Sequence, residues 1–278
     1  MPEMYLRSAF VTVGGIRFAG RISFEVYRGN SIQAVNKSKV NLYNLSPSSR
    51  GAVDKRQGKI VINAGYGANT PILFTGDFGI PTAENPTPVF HDRKGPDIIS
   101  TIEMADGDQD LAGAYVSVSL GPGATTLQII QIIKKQPGIP VASTTAADHG
   151  VPHVYQHGYS FEGSLRQLMI EMGEAMGVQF SIQSGALQII FKGGDTGELA
   201  VLLNASSGLI GIPNKTEMGF KAKALLNPLL TPGRKVRIES KMLKQPAEFA
   251  IDRVRHVGDT HDNDWYSEIE NGPIGGTV

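Results

Sequence analysis

The chain has 278 residues, a mass of 29.8 kDa and a formal net charge of zero, because 26 basic residues balance 26 acidic ones. This balance argues against specific nucleic-acid binding by bulk charge, which needs a basic excess to displace phosphate counterions. The absence of cysteine excludes disulfides, thiolate metal sites, iron–sulfur clusters and cysteine nucleophiles. We expect no membrane span, since no apolar run reaches the necessary length, and no secretory signal at the start of the sequence.

Glycine and proline are frequent, with 33 and 16 residues, which predicts many turns and therefore many short strands. The length suggests two domains, or one large β domain with insertions. A surface without net charge resists self-association poorly, so the composition favours a subunit of an assembly.

The first third of the chain shows the two-residue alternation of half-buried strands. Residues 10–28 predict a hairpin. Gly14 and Gly15 form a turn after its first strand, and the strand after Gly20 places Ile22, Phe24 and Val26 on one face. Ser46 and Pro47 suit the start of a helical turn. The segment 77–97 contains four prolines, which predicts a long exposed loop. Further strands are predicted at 40–45, 59–62, 72–76, 98–104 and 114–120.

The middle of the chain carries the helical signals. Residues 124–135 predict a helix that ends before Pro137 and Gly138, and the polar segment 143–158 suggests a linker. The strongest pattern predicts a helix over 160–176, with Ser160 as its cap, followed by a hairpin at 180–189.

The last third returns to strands, predicted at 221–226, 235–238, 249–257 and 265–269. The order is therefore β-rich, helix-containing and β-rich again. This order predicts a mainly β fold with an α+β insertion, divided into residues 1–110, 111–205 and 206–278.

Two polar segments are candidates for metal chemistry. His149, His153 and His157 lie four residues apart beside Asp148, a spacing that brings imidazoles together on a helix. Gly150, Pro152 and Gly158 oppose a helix there, however, so a solvated linker is the favoured interpretation.

The segment from Gly258 to Asp264 is the densest polar patch. Its Asp259 and His261 resemble the metal-binding turn of metallophosphoesterases, which makes a metal-dependent hydrolase one alternative function. Such a site needs further ligands downstream, and only fourteen residues follow Asp264. A polar hairpin turn before Trp265 is therefore favoured.

The remaining candidates favour structural roles. Gly121-Pro122-Gly123 lacks the Gly-Lys-Ser/Thr ending of a phosphate loop. Met169, Met172 and Met176 have the spacing of a buried helix face, with an adaptable partner surface as the alternative. A locally basic stretch predicts a solvated face, with a channel wall as the alternative; it contains Lys215, Lys221, Lys223, Arg234, Lys235, Arg237, Lys241 and Lys244. We therefore predict no catalytic, cofactor-binding or metal-binding residue, and no cofactor.

Eight segments in order along most of the chain resemble the baseplate or tail-tip hub proteins of tailed bacteriophages. They are 40–46 (VNLYNLS), 60–66 (IVINAGY), 72–77 (ILFTGD), 101–107 (TIEMADG), 158–164 (GYSFEGS), 178–183 (VQFSIQ), 187–189 (LQI) and 254–261 (VRHVGDTH).

The resemblance implies two tail-tube-like β-barrel modules, one at 1–110 and one at 206–278, flanking the insertion. It implies a homotrimer that joins the hexameric tail tube, or a distal tail protein, to the trimeric central spike, with the tape measure protein as a further contact. Such a protein is a non-enzymatic virion component, assembled in the host cytoplasm. The segment 77–97 is longer than the family pattern, and no lytic motif is present, which implies a separate spike. A peripheral host-binding tail protein is a further alternative.

Overall fold

The computed structural model describes residues 6–32, 36–79, 87–106, 111, 113–136, 140–141, 153–216, 219–243 and 245–272. The fold is mainly β, with helices in the middle of the chain, as the sequence predicts. The helices are α1 (Pro47–Asp54), α2 (Thr126–Lys134) and α3 (Leu165–Met176). The strands are β1 (Arg7–Val13), β2 (Ile16–Phe18), β3 (Ile22–Gly29), β4 (Lys37–Tyr43), β5 (Ile60–Tyr66), β6 (Ile72–Phe78), β7 (Val89–Lys94), β8 (Asp97–Ala105), β9 (Tyr115–Leu120), β10 (Ala124–Thr125), β11 (Val154–Tyr155), β12 (Tyr159–Ser164), β13 (Val178–Gln183), β14 (Ala186–Phe191), β15 (Val201–Leu203), β16 (Leu209–Thr216), β17 (Gly219–Leu225), β18 (Lys235–Ile238), β19 (Ala247–Ala250), β20 (Arg253–Asp259) and β21 (Trp265–Asn271).

Local capping fixes the ends of the two longer helices. Thr125 and Gln128 form a reciprocal capping box at the start of α2. Ser164 accepts a hydrogen bond from the Gln167 backbone at 3.2 Å, and the left-handed Gly177, with φ of 65°, ends α3. The predicted cap at Ser160 is wrong, because Ser160 pairs with Ser119 within the β9–β12 ladder.

Two segments predicted as loops contain strands. Within 77–97, β6 continues to Phe78, and β7 pairs with β8 along six residues from Val89 to Lys94. Pro88 and Pro96 lie outside β7, so neither removes a donor from its ladder. Within 143–158, β11 pairs with β10. The rest of these two loops includes 80–86 and 143–152, which lie outside the described residues.

One sheet connects the two β-rich parts of the chain. Its strand order is β16-β17-β21-β20-β3-β4-β8, where β8 then pairs with both β6 and β7. The connection is the antiparallel pair of β20 with β3, which runs over seven residue pairs from Arg253–Gly29 to Asp259–Ser23. We call the eight strands from β16 to β7 the shared sheet, to which each part contributes four.

The sheet rolls up around the first core. From β21 to β5 the strand path takes six steps, which would span about 29 Å in a flat sheet. The rings of Tyr66 on β5 and Trp265 on β21 are nevertheless only 6.4 Å apart. The Arg7 guanidinium lies 6.0 Å from the Trp265 ring and donates to the Asp262 carbonyl at 2.6 Å. Side chains, rather than ladder hydrogen bonds, therefore bring these strands together.

Three apolar cores lie in the described part of the chain. The first fills the rolled sheet and includes Trp265 and Leu226 from the last third. The second lies in the insertion between α2, α3 and the β13–β14 hairpin, and it includes Ile32. Met169 and Met172 are fully buried there, so this stripe is core. The third lies between the shared sheet and the small sheet β15-β18-β19. The domain boundaries at 110 and 205 stay predictions. None of the helices in the described residues is long and apolar enough to cross a membrane.

Candidate assembly surfaces

The outward face of the shared sheet carries a charge ladder. Ladder pairing places Lys223, Glu268 and Arg255 side by side, and the next row places Lys221, Glu270 and Arg253 side by side. On the other side of the β20–β3 junction, a third row places Glu25, Lys39 and Glu103 side by side on β3, β4 and β8. Opposite charges directly across strands attract one another. We use the name charge ladder for these nine residues.

The ladder is held together by short ion pairs. Glu270 contacts Lys221 at 2.7 Å and Arg253 at 3.4 Å. Glu268 contacts Arg255 at 3.2 Å and Lys223 at 3.9 Å. Each carboxylate thus lies between two cations, and these side chains are between 21% and 48% exposed.

Glu25 joins the two halves of the sheet electrostatically. Its carboxylate accepts from Arg255 Nε at 2.7 Å and from the Tyr27 hydroxyl at 2.5 Å. Partial burial raises the pKa of Glu25, but these two hydrogen bonds and the Arg255 charge outweigh it and hold the pKa below its ordinary value. Glu25 and Arg255 therefore both stay charged at neutral pH.

The basic stretch of the last third is not a free positive face. Arg234 contacts Glu198 at 3.2 Å, Lys235 contacts Asp195 at 3.1 Å, and Arg237 contacts Glu239 at 3.0 Å. Together with the paired ladder lysines, most of the predicted basic residues have acidic partners. Lys244 lies outside the described residues. Glu268 and Glu270 lie on β21, whereas Asp195, Glu198 and Glu239 lie outside the strands, and a count of basic residues includes none of these partners.

The shared sheet has two exposed edges in the described structure. At one end, β16 pairs with β17 on one side, and Ile210 and Ile212 are 38% and 58% exposed. At the other end, β7 pairs with β8 on one side, and Phe90 is 37% exposed. Long edge strands with apolar side chains are surfaces for pairing with another strand.

A buried polar joint fastens the insertion to the rolled sheet. Arg28, which is 6% exposed, donates to Gln183 Oε1 at 3.0 Å and to Ser184 Oγ at 3.3 Å. Gln183 donates in return to the Gly29 carbonyl at 2.8 Å. Asn36 donates to the Ile182 carbonyl at 2.9 Å. Hydrogen bonds from Arg28 and Asn36 thus hold the end of the β13–β14 hairpin against the rolled sheet.

Asp106 completes this joint. Its carboxylate accepts from the backbone N–H of Ser184 at 2.5 Å and of Gly185 at 2.8 Å, two residues in the left-handed conformation of a tight hairpin turn. Burial raises the pKa of Asp106 to about 6, against the opposing effects of these N–H groups and of the Arg28 charge. The joint therefore contains a carboxyl that titrates close to neutrality.

His256 is a second buried titratable group. Its Nδ1 lies 2.8 Å from the hydroxyl of Ser267, and both residues are fully buried. Burial, followed by the Arg28 charge, lowers the pKa of His256 to about 3. The imidazole is therefore neutral at physiological pH.

Arg28, Asp106 and His256 are residues that the sequence analysis did not select. Each continues the inward row of a strand, after Val26, Met104 and Val254 respectively. A titratable side chain on an alternating apolar face is the signal that could have found them.

The histidine candidates do not form a metal site in the described residues. His153 meets Tyr155 edge to face with ring centroids 4.8 Å apart, and its backbone pairs with Thr126. His149 and Asp148 lie outside the described residues. No group of three potential ligands occurs in the part of the chain that the structure describes.

The segment from Gly258 to Asp264 forms the turn between β20 and β21. The Asp259 carboxylate accepts from the backbone of His261 at 2.8 Å and of Asp262 at 3.1 Å. Thr260 Oγ1 accepts from the Ile22 backbone at 3.0 Å. Asp259 therefore closes the turn and Thr260 holds it to the start of β3, as expected of a structural turn. Gly121 and Gly123 likewise form the turn between β9 and β10.

The sequence model of the family described as Baseplate hub gp41 matches residues 31–270. The chain belongs to this family. The hub is therefore a structural component of the phage baseplate, and its place is the tail of the virion. A comparison with curated proteins gave no match.

Solved structures share the fold of the hub at low sequence identity. A tail protein from Neisseria meningitidis MC58 has a TM-score of 0.64 at 10% identity, with 96% of each chain covered. The 43 kDa tail protein of prophage MuSo2 from Shewanella oneidensis has a TM-score of 0.63 at 11% identity, covering 95% of the hub and 96% of that chain. The c3393 protein of E. coli, a component of the type VI secretion system, has a TM-score of 0.59 at 12% identity, covering 95% of the hub and 77% of that chain. These neighbours support the fold.

Proposed function

We propose that three copies of the hub close into a ring that joins the hexameric tail tube, or a distal tail protein, to the trimeric central spike. One observation carries the proposal: the shared sheet takes four strands from each β-rich part of the chain and ends in two exposed edges. Three such sheets offer six similar four-stranded units, which match a sixfold partner on one side and a threefold partner on the other.

The ring forms by pairing β16 of one copy with β7 of the next. This contact is heterologous, and it leaves no free edge only when the ring closes. The exposed Ile210, Ile212 and Phe90 become buried in the same contact. The hub acts without catalysis, and contact with the tape measure protein belongs to the same proposal. Because the polar turn at 258–264 is occupied by its own hydrogen bonds, it favours neither hydrolysis nor host binding.

The mass of the purified hub in solution tests the trimer. We expect three times 29.8 kDa by native mass spectrometry or analytical ultracentrifugation, at concentrations that favour assembly. A dimer, or a monomer that stays monomeric when mixed with tail tube or spike protein, would contradict the ring.

Engineered disulfides test the edge pairing, and the absence of native cysteine removes any background. A variant with Ile212→Cys on β16 and Asp92→Cys on β7 should form covalent dimers and trimers on oxidation, with neighbouring positions used to find the register. The matched control keeps Ile212→Cys and moves the second cysteine to Ile16 on the three-residue β2, where we expect no cross-link. Equal cross-linking of the control would show random collision.

A further inference from the structure

The two edges of the shared sheet run in opposite directions. Every pairing along the path from β16 to β7 is antiparallel, and the path takes seven steps, so the first and last strands are antiparallel to each other. Rotation about a threefold axis keeps the direction of each strand along that axis. In the proposed ring, on which this inference rests, β7 therefore meets β16 of the next copy antiparallel. The end of β7 at Lys94 then lies beside the start of β16 at Leu209.

A groove of about 750 Å³ opens at the start of β16. It lies between the turn that leads into β16 and the turn that joins β18 to β19. Its apolar floor consists of Leu209 and Leu243, which pack against the third core and so place the groove on the inward face of the shared sheet, opposite the charge ladder. Its polar lining includes Asn204, Ser206, Glu239 and Ser240.

The backbone of β16 is irregular beside this groove. Its pairing with β17 shifts register between Ile210 and Asn214. Within this bulge Gly211 has a φ of 70°, and Pro213 has no N–H to donate. Strand pairing with the next copy is therefore interrupted in the middle of β16 and fixes the alignment of the two edges only weakly. A side-chain contact at the groove supplies the missing alignment.

Arg93 is the residue of β7 that is placed to reach the groove. Side chains alternate along a strand, so Val89, His91 and Arg93 share the inward face. His91 is held by Asp54 at 3.0 Å. Arg93 is exposed, and its guanidinium donates to the Gly95 carbonyl of its own turn at 3.3 Å. It is thus the inward-facing charge closest to the β7–β8 turn.

We infer that the groove at the start of β16 is the socket for the β7–β8 turn of the next copy, whose Arg93 enters it and contacts Glu239. Glu239 is 40% exposed and already contacts Arg237 at 3.0 Å. A carboxylate has two oxygens and accommodates a second cation, as Glu270 does in the charge ladder. Pro96 is exposed in the same turn and supplies apolar surface for the floor of the groove.

Pairs of cysteines test the direction and the place of this contact. The variant Lys94→Cys/Ser206→Cys joins the end of β7 to the groove, and its matched control Lys94→Cys/Lys215→Cys joins the same end to the far end of β16; all three positions are exposed. With a short bismaleimide, we expect covalent dimers and trimers from the first variant. The control should give at least about 10-fold less product, because the two ends of β16 lie about 20 Å apart. Equal yields, or more product from the control, would overturn the socket.

A double-mutant cycle tests the contact between Arg93 and Glu239. We expect R93Q and E239Q each to raise the concentration at which half of the trimer dissociates by about 5-fold, and R93Q/E239Q to raise it no further than either single change. The control E248Q removes a carboxylate that pairs with Lys235 on the small sheet but does not line the groove, and its effect should be small and independent of R93Q. Independent effects of R93Q and E239Q would overturn the contact.

The mass of the wild type separates this inference from the proposed function. A wild-type hub that stays monomeric when mixed with tail tube or spike protein contradicts the ring, and the socket with it. A wild-type trimer in which Lys94→Cys/Ser206→Cys gives no cross-link contradicts only the socket.

Discussion

The charge ladder and the polar joint are both built from side chains with charge, but water reaches only one of them. Ladder groups such as Arg253 and Glu270 are 41% and 33% exposed, whereas Arg28 and Asp106 in the joint are 6% and 5% exposed. Exposed ion pairs contribute little to stability, since water screens them and replaces a lost partner. Buried polar groups depend on every partner, because nothing else satisfies them.

This difference indicates different tasks. The joint fixes the position of the insertion, and its energy depends on complete hydrogen bonding. The ladder determines the charge pattern on the outward face of the shared sheet. Because its ion pairs contribute little to stability, its residues can serve a surface function. The comparison leads to predictions that differ in size and in pH dependence.

The largest effect is expected from Arg28→Met. The substitution leaves Gln183, Ser184 and the Asp106 carboxylate with fewer partners in a buried site, and we expect the free energy of unfolding to fall by about 3–5 kcal/mol. Chemical denaturation measures it. The matched control is Arg253→Met on the ladder, for which we expect a loss of about 1 kcal/mol or less. Equal losses would show that the two regions do not differ as described.

Asp106→Asn should change the pH dependence of stability. The folded carboxyl has a pKa of about 6 and an ordinary value of 3.8, so the folded state takes up the proton first and Asp106 favours folding as the pH falls. Without this carboxyl, the free energy of unfolding should decrease by up to about 3 kcal/mol as the pH falls from 6 to 4. Denaturation across this range measures the slope; a flat profile would contradict the assignment.

His256→Asn should tilt the same profile in the opposite direction. The folded imidazole has a pKa of about 3 and an ordinary value of 6.5, so its stabilising effect is complete above 6.5 and is lost as the pH falls. Asparagine keeps an acceptor or donor near Ser267 but does not titrate. Relative to the wild type, the free energy of unfolding of the variant should increase by up to about 3 kcal/mol as the pH falls from 6 to 4. The smaller side chain lowers this free energy by an amount that does not depend on pH. In the wild type the two slopes largely cancel, and a steep wild-type profile would count against both.

The smallest effect is expected from Glu268→Gln. The partly exposed carboxylate contacts Arg255 and Lys223, and its loss should lower the free energy of unfolding by about 1 kcal/mol or less, with the difference vanishing at high salt. The thermal midpoint at low and high ionic strength measures it. A loss as large as that of Arg28→Met would show that the ladder is needed for stability, and would count against a surface function.

Much of the local structure could be predicted from the sequence. Alternation in 22–26 predicts β3, and the methionine spacing predicts α3, because both patterns depend on neighbours along the chain. The predicted start of α3 at Ser160 was wrong. Ser160 and Ser164 are both good caps, and the pairing of β12 with β9 decides between them. The strand β7 was missed for the same reason: its pairing with β8 outweighs a charged, proline-flanked sequence.

The sequence by itself determined the strand-rich composition, the central insertion, the end of α2 before Pro137 and the resemblance to tail hubs, since these depend on residue types and short spacings. Only the tertiary structure decided that β20 pairs with β3, that Trp265 meets Tyr66, and that the basic residues of the last third face carboxylates. These contacts join residues far apart in the chain. Their register is set by the simultaneous burial of several strand faces, which no local pattern contains.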